Sequence, residues 1–299
     1  MVDISVIDIL EGHNSFVQSL AFSPKKNELI SASFDGVIKV WNLSDKKQNF
    51  QFKPTHSSVV DVAYSPDGKL LACAGLDNSV SLWDTDNWKK ILWYEHMAPV
   101  LTVAFSLNGD YLASGGRDNL VKIWSIRKSG VYNTLKGHSN WVETVKFSEN
   151  SKILASGGWD GQVILWDIVE GKKINTFDEH QEAVMELIFL PDQKTLVSCG
   201  QDNTIRLWNF VGKSHSSMKV LLGHNSTVRG IVYCDRHGNL ASVSQDKTLR
   251  VWNISSAEAI AVSKKQKEWL TCLASTLNCS IVATGDLDGR VILWKILSK

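Results

Sequence analysis

The stretch GHSNWVETVKFSENSKILASGGWDGQVILWD at residues 137–167 contains most of what this chain repeats. It carries His138, Ser156, Asp160 and Trp166 at intervals that recur elsewhere in the sequence. Between them lie short runs of β-branched and aromatic residues interrupted by Gly, Asn and Asp, a pattern typical of short strands joined by tight turns. We therefore interpret the stretch as one small antiparallel meander.

The Trp of this stretch belongs to a series that runs along the whole chain. Seven tryptophans follow one another at intervals of 42, 41, 42, 42, 44 and 42 residues: Trp41, Trp83, Trp124, Trp166, Trp208, Trp252 and Trp294. An Asp stands six residues before each of them: Asp35, Asp77, Asp118, Asp160, Asp202, Asp246 and Asp288. A period in the forties predicts a repeat protein, either a solenoid or a propeller.

Two further residue types keep the same register. Four residues before each Asp there is a small hydroxyl or thiol: Ser31, Cys73, Ser114, Ser156, Ser198, Ser242 and Thr284. A His precedes the Trp by 28 residues in five units and by 27 in the second: His13, His56, His96, His138, His180 and His224. In the seventh unit Gln266 stands in its place. Four residue types in register over seven units indicate one repeated structural unit.

The repeated meanders predict a closed ring. A lone four-stranded meander cannot bury both faces, and seven twisted sheets packed radially leave only short, protected edges. The seventh unit has room for three strands, so we expect the run DISVIDIL at residues 3–10 to supply the fourth. The predicted fold class is an all-β, seven-bladed β-propeller with four antiparallel strands per blade. We expect residues 1–299 to form a single domain, with 1–10 as the outer strand of blade 7 and 11–299 as the seven repeats.

The repeated dipeptides make the chain resemble the WD-repeat family. Gly-His occurs at Gly12-His13, Gly137-His138 and Gly223-His224, and the terminal Trp-Asp occurs at Trp83-Asp84 and Trp166-Asp167. The other five units end in Trp-Asn, Trp-Ser or Trp-Lys. The resemblance covers essentially the whole chain. It implies the propeller fold and a role as a scaffold for multi-protein assemblies.

Composition argues against several other classes. The 32 Lys and Arg residues nearly balance the 31 Asp and Glu residues, so no global field attracts nucleic acid or an acidic membrane surface. Five cysteines without a CxxC pair suggest a reducing, intracellular compartment. We expect no signal peptide and no membrane span, because no long apolar stretch occurs.

The repeated polar residues predict a structural hydrogen-bond chain from Trp through Ser and His to Asp. Asp, His and Ser are also the residues of a nucleophilic triad, but a catalytic triad occurs once, and this set recurs with a Trp throughout the chain. We therefore assign structural roles to His13, Ser31, Asp35, Trp41, His96, Ser114, Asp118, Trp124, His138, Ser156, Asp160, Trp166, His180, Ser198, Asp202, Trp208, His224, Ser242, Asp246 and Trp252. Units 2 and 7, which carry Cys73 and Gln266, are expected to be the least tightly braced.

Recognition should use positions that the repeat leaves free. Two positions per blade face solvent near the channel: the residue before the Asp and the residue three after the His. In the shortened second loop, Val59 stands at the latter position or is instead the inward-pointing strand residue. Aromatic residues and Arg anchor interfaces. We predict partner binding by Trp141, Trp159, Glu143 and Arg117, with Phe16, Phe34, Trp269 and Arg229 as a second group.

These rim residues suggest the chemistry of a partner. An extended segment with an apolar or cationic side chain could sit against the indoles, with Glu143 pairing with Arg or Lys. The alternative is that some of the rings lean onto neighbouring blades and merely cover the core.

The leading hypothesis is a non-catalytic scaffold for protein–protein interaction, with no catalytic residue, metal or cofactor. We expect a monomeric propeller within a larger intracellular complex, cytoplasmic, nuclear or both, that contacts neither a membrane nor, directly, nucleic acid. One alternative is a nucleic-acid reader in RNA processing or chromatin, which would use the Arg and Trp residues of the rim. A second alternative is an enzyme at the channel mouth, which would need an unmatched cluster of ionisable groups.

Overall fold

A computed structural model of the protein describes residues 2–211, 217–234, 238–276 and 279–298. These described residues form 28 strands and no helix. In chain order the strands are β1 (Val2–Leu10), β2 (Val17–Phe22), β3 (Glu28–Ser33), β4 (Ile38–Asn42), β5 (Lys47–Phe52), β6 (Val59–Tyr64), β7 (Leu70–Gly75), β8 (Ser79–Asp84), β9 (Lys90–Glu95), β10 (Val100–Phe105), β11 (Tyr111–Gly116), β12 (Leu120–Ser125), β13 (Gly130–Lys136), β14 (Val142–Phe147), β15 (Ile153–Gly158), β16 (Val163–Asp167), β17 (Lys172–Phe177), β18 (Val184–Phe189), β19 (Thr195–Gly200), β20 (Ile205–Asn209), β21 (Lys219–Leu221), β22 (Val228–Cys234), β23 (Asn239–Ser244), β24 (Leu249–Asn253), β25 (Glu258–Val262), β26 (Leu270–Ser275), β27 (Val282–Asp286) and β28 (Val291–Ser298).

The strands form seven four-stranded sheets, which are the blades of a propeller. Blades 1 to 6 each use four consecutive strands, namely β2–β5, β6–β9, β10–β13, β14–β17, β18–β21 and β22–β25. Neighbours within a blade pair antiparallel, as β14, β15 and β16 do. The predicted all-β, seven-bladed propeller is confirmed.

Blade 7 joins the two ends of the described chain. Its order is β1-β28-β27-β26, so the N-terminal strand is the outer strand of the last blade. β1 pairs antiparallel with β28 from Val2 to Leu10, whose partner is Val291. Leu10 is 3% exposed and packs with Trp41 of blade 1 and Leu293 of blade 7. The predicted closure is confirmed, and the sequence could reveal it because the seventh repeat lacks one strand.

The hydrophobic core lies between adjacent blades. Trp166 of blade 4 packs in one cluster with Val121 and Ile123 of blade 3, and Trp208 of blade 5 takes the equivalent place against blade 4. A Cβ added at Gly137 would lie 2.7 Å from the Trp166 ring atom Cη2. The glycine of the Gly-His dipeptide therefore leaves room for the core tryptophan.

The second loop resolves the two alternatives for Val59. Val59 begins β6 and is fully buried opposite Gly75, so it is the inward-pointing strand residue. Ser58 occupies the rim position instead, because its carbonyl accepts the backbone N–H of Leu76 at 3.1 Å. The same backbone bond links the rim residues of most other blades.

Two cysteines are paired, which the sequence analysis did not expect. Cys234, at the end of β22, and Cys279, shortly before β27, form a disulfide between blades 6 and 7. They lie 45 positions apart, and no sequence motif relates them. Cys73, Cys199 and Cys272 are buried free thiols. The pairing runs against the expectation of a compartment in which thiols stay reduced, because disulfides persist mainly in oxidising compartments.

Breaking this pair should weaken an oxidised protein. Cys234→Ser is expected to lower the free energy of unfolding by about 2–4 kcal/mol, because a disulfide restricts the unfolded chain. Scanning calorimetry of both proteins, with and without a reductant, measures the effect. With reductant the two proteins should melt together. Identical melting in oxidising buffer would show that the pair does not stabilise the ring.

Candidate partner-binding site at the channel mouth

Five blades contain the same buried hydrogen-bond chain. In blade 4 the Trp166 indole N–H donates to Ser156 Oγ at 2.8 Å. Ser156 Oγ lies 2.7 Å from His138 Nε2, and His138 Nδ1 lies 3.0 Å from Asp160. Because the Ser oxygen accepts from Trp, its own proton can go to Nε2, which leaves Nδ1–H to donate to Asp. The predicted chain from Trp to Asp is therefore present.

The other four chains use the residues assigned from the sequence. They are His13, Ser31, Asp35 and Trp41 in blade 1; His96, Ser114, Asp118 and Trp124 in blade 3; His180, Ser198, Asp202 and Trp208 in blade 5; and His224, Ser242, Asp246 and Trp252 in blade 6. Their His Nδ1 to Asp distances range from 2.8 to 3.1 Å. Repetition of one geometry in five blades indicates a structural element.

Burial and hydrogen bonding shift the pKa values of Asp and His residues in these hydrogen-bond chains. Burial alone would raise the pKa of Asp202, but hydrogen bonds from His180 and Thr204 outweigh it and lower the pKa to about 2. Hydrogen bonds outweigh burial in the same way and lower the pKa of the equivalent carboxyls Asp35, Asp118, Asp160 and Asp246. Burial lowers the pKa of His13 and of His224. In blades 1 and 6 this favours a neutral imidazole between the hydroxyl and the carboxylate, an arrangement that leaves no polar atom of the chain unpaired.

Blade 2 departs from this arrangement. Cys73 replaces the hydroxyl, and the Trp83 indole N–H donates instead to Ser81 Oγ at 2.9 Å. The His56 imidazole is exposed, and only the backbone N–H of His56 reaches Asp77, at 2.7 Å. The hydrogen-bond chain is thus incomplete in a blade that the sequence analysis expected to be weakly braced.

Blade 7 departs in a different way. Trp294 still donates to Thr284 Oγ1 at 2.9 Å, but no His follows. Asp288 pairs with Lys267 at 2.9 Å on the surface, while Asp286 is fully buried and pairs with Arg290 at 2.7 Å. A salt bridge therefore takes the place of the imidazole.

The serine hydroxyls of the repeated hydrogen-bond chains are buried. The hydroxyls of Ser31, Ser114, Ser156, Ser198 and Ser242 belong to side chains that are 0% exposed. A nucleophile must reach its substrate, and these hydroxyls are covered by the core tryptophans. Within the described ranges, no three His, Cys, Asp or Glu side chains come together as metal ligands.

Trp141 and Trp159 form a pair at the channel mouth. Trp141 lies in the loop before β14, and Trp159 lies in the turn between β15 and β16. The Trp159 backbone N–H donates to the Trp141 carbonyl at 2.8 Å, and the ring centroids are 5.1 Å apart. Gly161 ends the turn with φ of 73°, and a Cβ there would lie 2.8 Å from the His180 carbonyl oxygen. The turn thus packs against the next blade and presents Trp159, which is 37% exposed.

Arg117 and Glu143 contact the two indoles. Arg117 Cζ lies 4.3 Å from the centre of a Trp141 ring, a cation–π contact. The Trp159 indole N–H donates to Glu143 Oε2 at 2.8 Å. Burial raises the pKa of Glu143, while the charges of Arg229 and Arg117 act in the opposite direction. The four residues of the first predicted group therefore form one contacting cluster.

Part of the second predicted group lies in the same cavity as the first group. Phe16 stacks on Phe34 with ring centroids 4.6 Å apart, and Phe34 is 39% exposed. Phe34 and Arg229 line the same cavity, of about 460 Å³, as the first group. Trp269 is 43% exposed on the loop before β26 but does not line this cavity. Six of the eight predicted residues thus share the channel mouth.

The inner strands explain why Glu143 and Arg229 face the channel. The pairing of β14 with β15 skips Glu143, between Val142 and Thr144. The pairing of β22 with β23 skips Arg229 in the same way. Such a bulge leaves one residue outside the ladder and redirects its side chain.

Sequence reasoning missed three charged residues of the channel. Asp61, Lys146 and Glu186 line the cavity, and Lys146 pairs with Glu186 at 3.2 Å. Ser19 Oγ of blade 1 donates to Asp61 at 2.7 Å, and Asp61 accepts the Val103 N–H of blade 3 at 2.9 Å. The repeat contained a signal for Asp61 and Glu186, because a polar residue recurs every 41 or 42 positions within these apolar strands: Ser19, Asp61, Thr102, Thr144 and Glu186. Lys146 lies outside this series.

The chemistry of the mouth differs from the expectation in one respect. The sequence predicts that an apolar or a cationic side chain of a partner sits against the indoles, and the contacts of the two indoles bear on the cationic alternative. Arg117 of the same chain already covers one face of Trp141, and Trp159 already binds Glu143 through its N–H. The rings of Trp159 and Phe34 remain the exposed aromatic side chains of this cavity.

A protein-family model, described as WD domain, G-beta repeat, matches seven segments of the chain: residues 4–42, 47–84, 89–125, 130–167, 171–209, 215–253 and 260–295. The chain belongs to the WD-repeat family. The propeller geometry and the match to the family model agree on seven units, so the resemblance noted from the Gly-His and Trp-Asp dipeptides is confirmed.

Curated relatives of this WD-repeat protein match over about one quarter of its length. A guanine nucleotide-binding protein subunit beta of Solanum tuberosum is 36% identical over 85 residues, which are 28% of this chain and 22% of the relative. A periodic tryptophan protein 2 homolog of Mus musculus is 34% identical over 82 residues, 27% of this chain and 9% of the relative. Periodic tryptophan protein 2 of Arabidopsis thaliana is 38% identical over 78 residues, 26% of this chain and 9% of the relative.

The similarity to these relatives is therefore local to the repeats, and the matched part spans less than a quarter of each relative. The described part of the chain also contains no helix with the length and apolar character needed to cross a membrane.

Proposed function

We propose that this WD-repeat protein is a non-catalytic scaffold that binds extended segments of partner proteins around the mouth of its channel, as a subunit of a multi-protein complex. The observation that carries the proposal is the Trp141–Trp159 pair at the edge of a cavity. The blade fold does not require indoles there, since Ala183 and Gln201 occupy the equivalent positions in blade 5. Half-exposed aromatic rings beside an Arg are typical anchors of protein interfaces.

The relatives support an assembly role. One of them is named as a subunit of a guanine nucleotide-binding protein, although the match covers only 22% of its length. We propose the same general role here, within a complex of other proteins, and no enzymatic activity. The ionisable groups Asp61, Lys146 and Glu186 are engaged in contacts between blades, which favours a structural role over catalysis.

Binding of protein is favoured over binding of nucleic acid. Nucleic-acid channels combine a basic stripe with stacking aromatics. The cavity lining contains three basic residues, Arg117, Lys146 and Arg229, against three acidic ones, and Lys146 is already paired. Salt-tolerant capture of a polypeptide would support a protein partner, whereas affinity that falls steeply with salt would favour nucleic acid.

We propose an intracellular location, in the cytoplasm, the nucleus or both. Three of the five cysteines are buried free thiols, as is usual where thiols stay reduced. In such a compartment the pair Cys234–Cys279 would form only on oxidation.

The double substitution Trp141→Ala with Trp159→Ala should abolish partner capture. The two rings supply much of the aromatic surface of the mouth, and loss of a central aromatic anchor typically costs about 2 kcal/mol or more of binding free energy. Affinity capture with the full chain as bait, followed by mass spectrometry, compares the partners bound by wild type and variant.

Trp93→Ala is the matched control. Trp93 is a half-buried indole on the outer strand of blade 2, with Lys90 above its ring, and it lies outside the channel cavity. This variant should keep all partners, and both variants should melt close to wild type. Retention of the same partners by the double variant would refute the proposed site.

A further inference from the structure

Two guanidinium groups at the channel mouth, those of Arg117 and Arg229, form no direct ion pair with a described residue. Six charged residues line the cavity: Asp61, Arg117, Glu143, Lys146, Glu186 and Arg229. Lys146 is paired with Glu186. Among the described residues, the side chains of Arg117 and Arg229 form no ion pair and donate no hydrogen bond. Arg117 stacks only on Trp141.

The acidic residues of the lining are, in contrast, engaged. Asp61 accepts hydrogen bonds from Ser19 Oγ and from the backbone N–H groups of Val62 and Val103, at 2.7 to 2.9 Å. Glu186 accepts from Thr144 Oγ1 at 3.1 Å in addition to its pairing with Lys146.

Glu143 accepts a hydrogen bond from the Trp159 indole N–H, and the positive charges of Arg229 and Arg117 act to lower its pKa against the effect of burial. The polar groups at the mouth that still lack a hydrogen-bond partner are therefore mainly donors.

Both arginines can present donors to one ligand. Arg117 Cζ lies 4.3 Å from the centre of a Trp141 ring, and the N–H donors along the edge of its guanidinium donate no hydrogen bond to a described residue, so this edge is free for an acceptor. Arg229 projects from the bulge of β22 into the same cavity. Both guanidinium groups line the same cavity of about 460 Å³, so one ligand bound at the mouth can meet both.

We propose that the segment captured at this mouth carries an Asp or Glu side chain, whose carboxylate binds Arg229 and the free edge of Arg117. An adjacent apolar residue of the segment packs on Trp159 and the exposed face of Phe34. This inference rests on the proposed function. It keeps the apolar side chain that the sequence suggested for the partner and replaces the cationic one by an acidic one, because Arg117 already occupies the cation position on Trp141.

The charge balance of the cavity favours a carboxylate over a phosphoryl group. The three acidic and three basic residues of the lining balance, so an entering anion gains only from direct contact with the guanidinium groups. A phosphorylated side chain carries about −1.5 to −2 charges and would be repelled more strongly by Glu143 than a carboxylate with one charge. Carboxylate–Arg pairing can be bidentate and needs no further cation.

Selection of short random peptides displayed on phage, with the full chain as target, tests this inference. Selected peptides should share an Asp or Glu next to an apolar residue. Synthetic versions should bind Arg229→Gln and Arg117→Gln at least about tenfold more weakly than wild type in calorimetric titrations, since hydrogen bonds to charged groups are worth about 1.5–3 kcal/mol. Replacing the acidic residue by its amide should have the same effect.

Lys267→Gln is the matched control, because Lys267 is a cation paired with Asp288 outside the cavity. Its affinity should equal that of wild type, and all variants should share the wild-type melting temperature. Selected peptides without an acidic residue, or equal affinity for the Arg variants, would overturn the inference. Tighter binding after replacing the acidic residue with phosphoserine would also overturn it, in favour of a phosphopeptide.

The Trp141→Ala, Trp159→Ala double variant separates this inference from the proposed function. If the selected peptides lose affinity for the double variant but contain no Asp or Glu, the inference of a bound carboxylate is refuted and the proposed site stands. If no selected peptide depends on the two tryptophans, both proposals fail together.

Discussion

Deletion of residues 1–10 is expected to lower the free energy of unfolding by more than about 5 kcal/mol, which is comparable to the total stability of many domains. The truncated chain loses the ladder between β1 and β28, and each lost hydrogen bond contributes about 0.5–1.5 kcal/mol. It also loses Leu10 from the core between blades 7 and 1, which resembles a large-to-small core substitution worth about 2–5 kcal/mol. Urea unfolding, followed by tryptophan fluorescence and circular dichroism, measures the change.

Two controls distinguish the loss of stability caused by opening the ring from other effects of changing residues 1–10. Ile7→Thr changes a residue that is 41% exposed, keeps the strand backbone in place and should alter stability only slightly. A synthetic peptide of residues 1–10, added to the truncated chain, should restore part of the lost stability by pairing with β28. A truncated chain that unfolds at the wild-type urea concentration would disprove closure by this strand. We propose that the ring unfolds as one domain, in a single transition.

The second large effect is expected from His138→Ala, at about 2–4 kcal/mol of unfolding free energy. The substitution leaves the Ser156 hydroxyl and the Asp160 carboxylate without their shared partner and opens a cavity beside Trp166. Buried polar groups that lose a partner cost more than the net value of the bond. Equilibrium unfolding in urea measures the difference from wild type.

His56→Ala provides a matched comparison at the equivalent position of blade 2. The His56 imidazole is exposed and outside the hydrogen-bond chain, so this variant should stay within about 0.5 kcal/mol of wild type. Similar losses for the two variants would mean that the buried chain does not brace the blades. A double-mutant cycle with Ser156→Ala then measures the coupling directly.

Much of the fold followed from the repeat. Seven Trp residues in register predicted seven blades, and the missing strand of the last unit predicted closure by β1. The hydrogen-bond chains were predictable too, because His, Ser, Asp and Trp recur at fixed spacings. The pair Cys234–Cys279 was not, since its members lie 45 residues apart and belong to different blades.

The candidate site was predicted only in part. The repeat register placed Trp141, Trp159 and Arg117 at the rim. Their residue types were informative because the repeat does not specify the residue at these positions. Their mutual contacts did not follow, and neither did the separation of Trp269 from the cavity. Whether these residues bind a partner stays a prediction.

The amino-acid sequence by itself determined the number of blades, the closing strand and the residues of the repeated hydrogen-bond chains, because these depend on local periodicity and recur many times. Only the tertiary structure decided which residues contact the two indoles, which arginines form no ion pair and how the channel charges pair. Those features depend on contacts between blades, such as that of Arg117 in blade 3 with Trp141 in blade 4 and that of Lys146 in blade 4 with Glu186 in blade 5. No spacing within a single repeat specifies such contacts, because each is made once, between residues far apart in the chain.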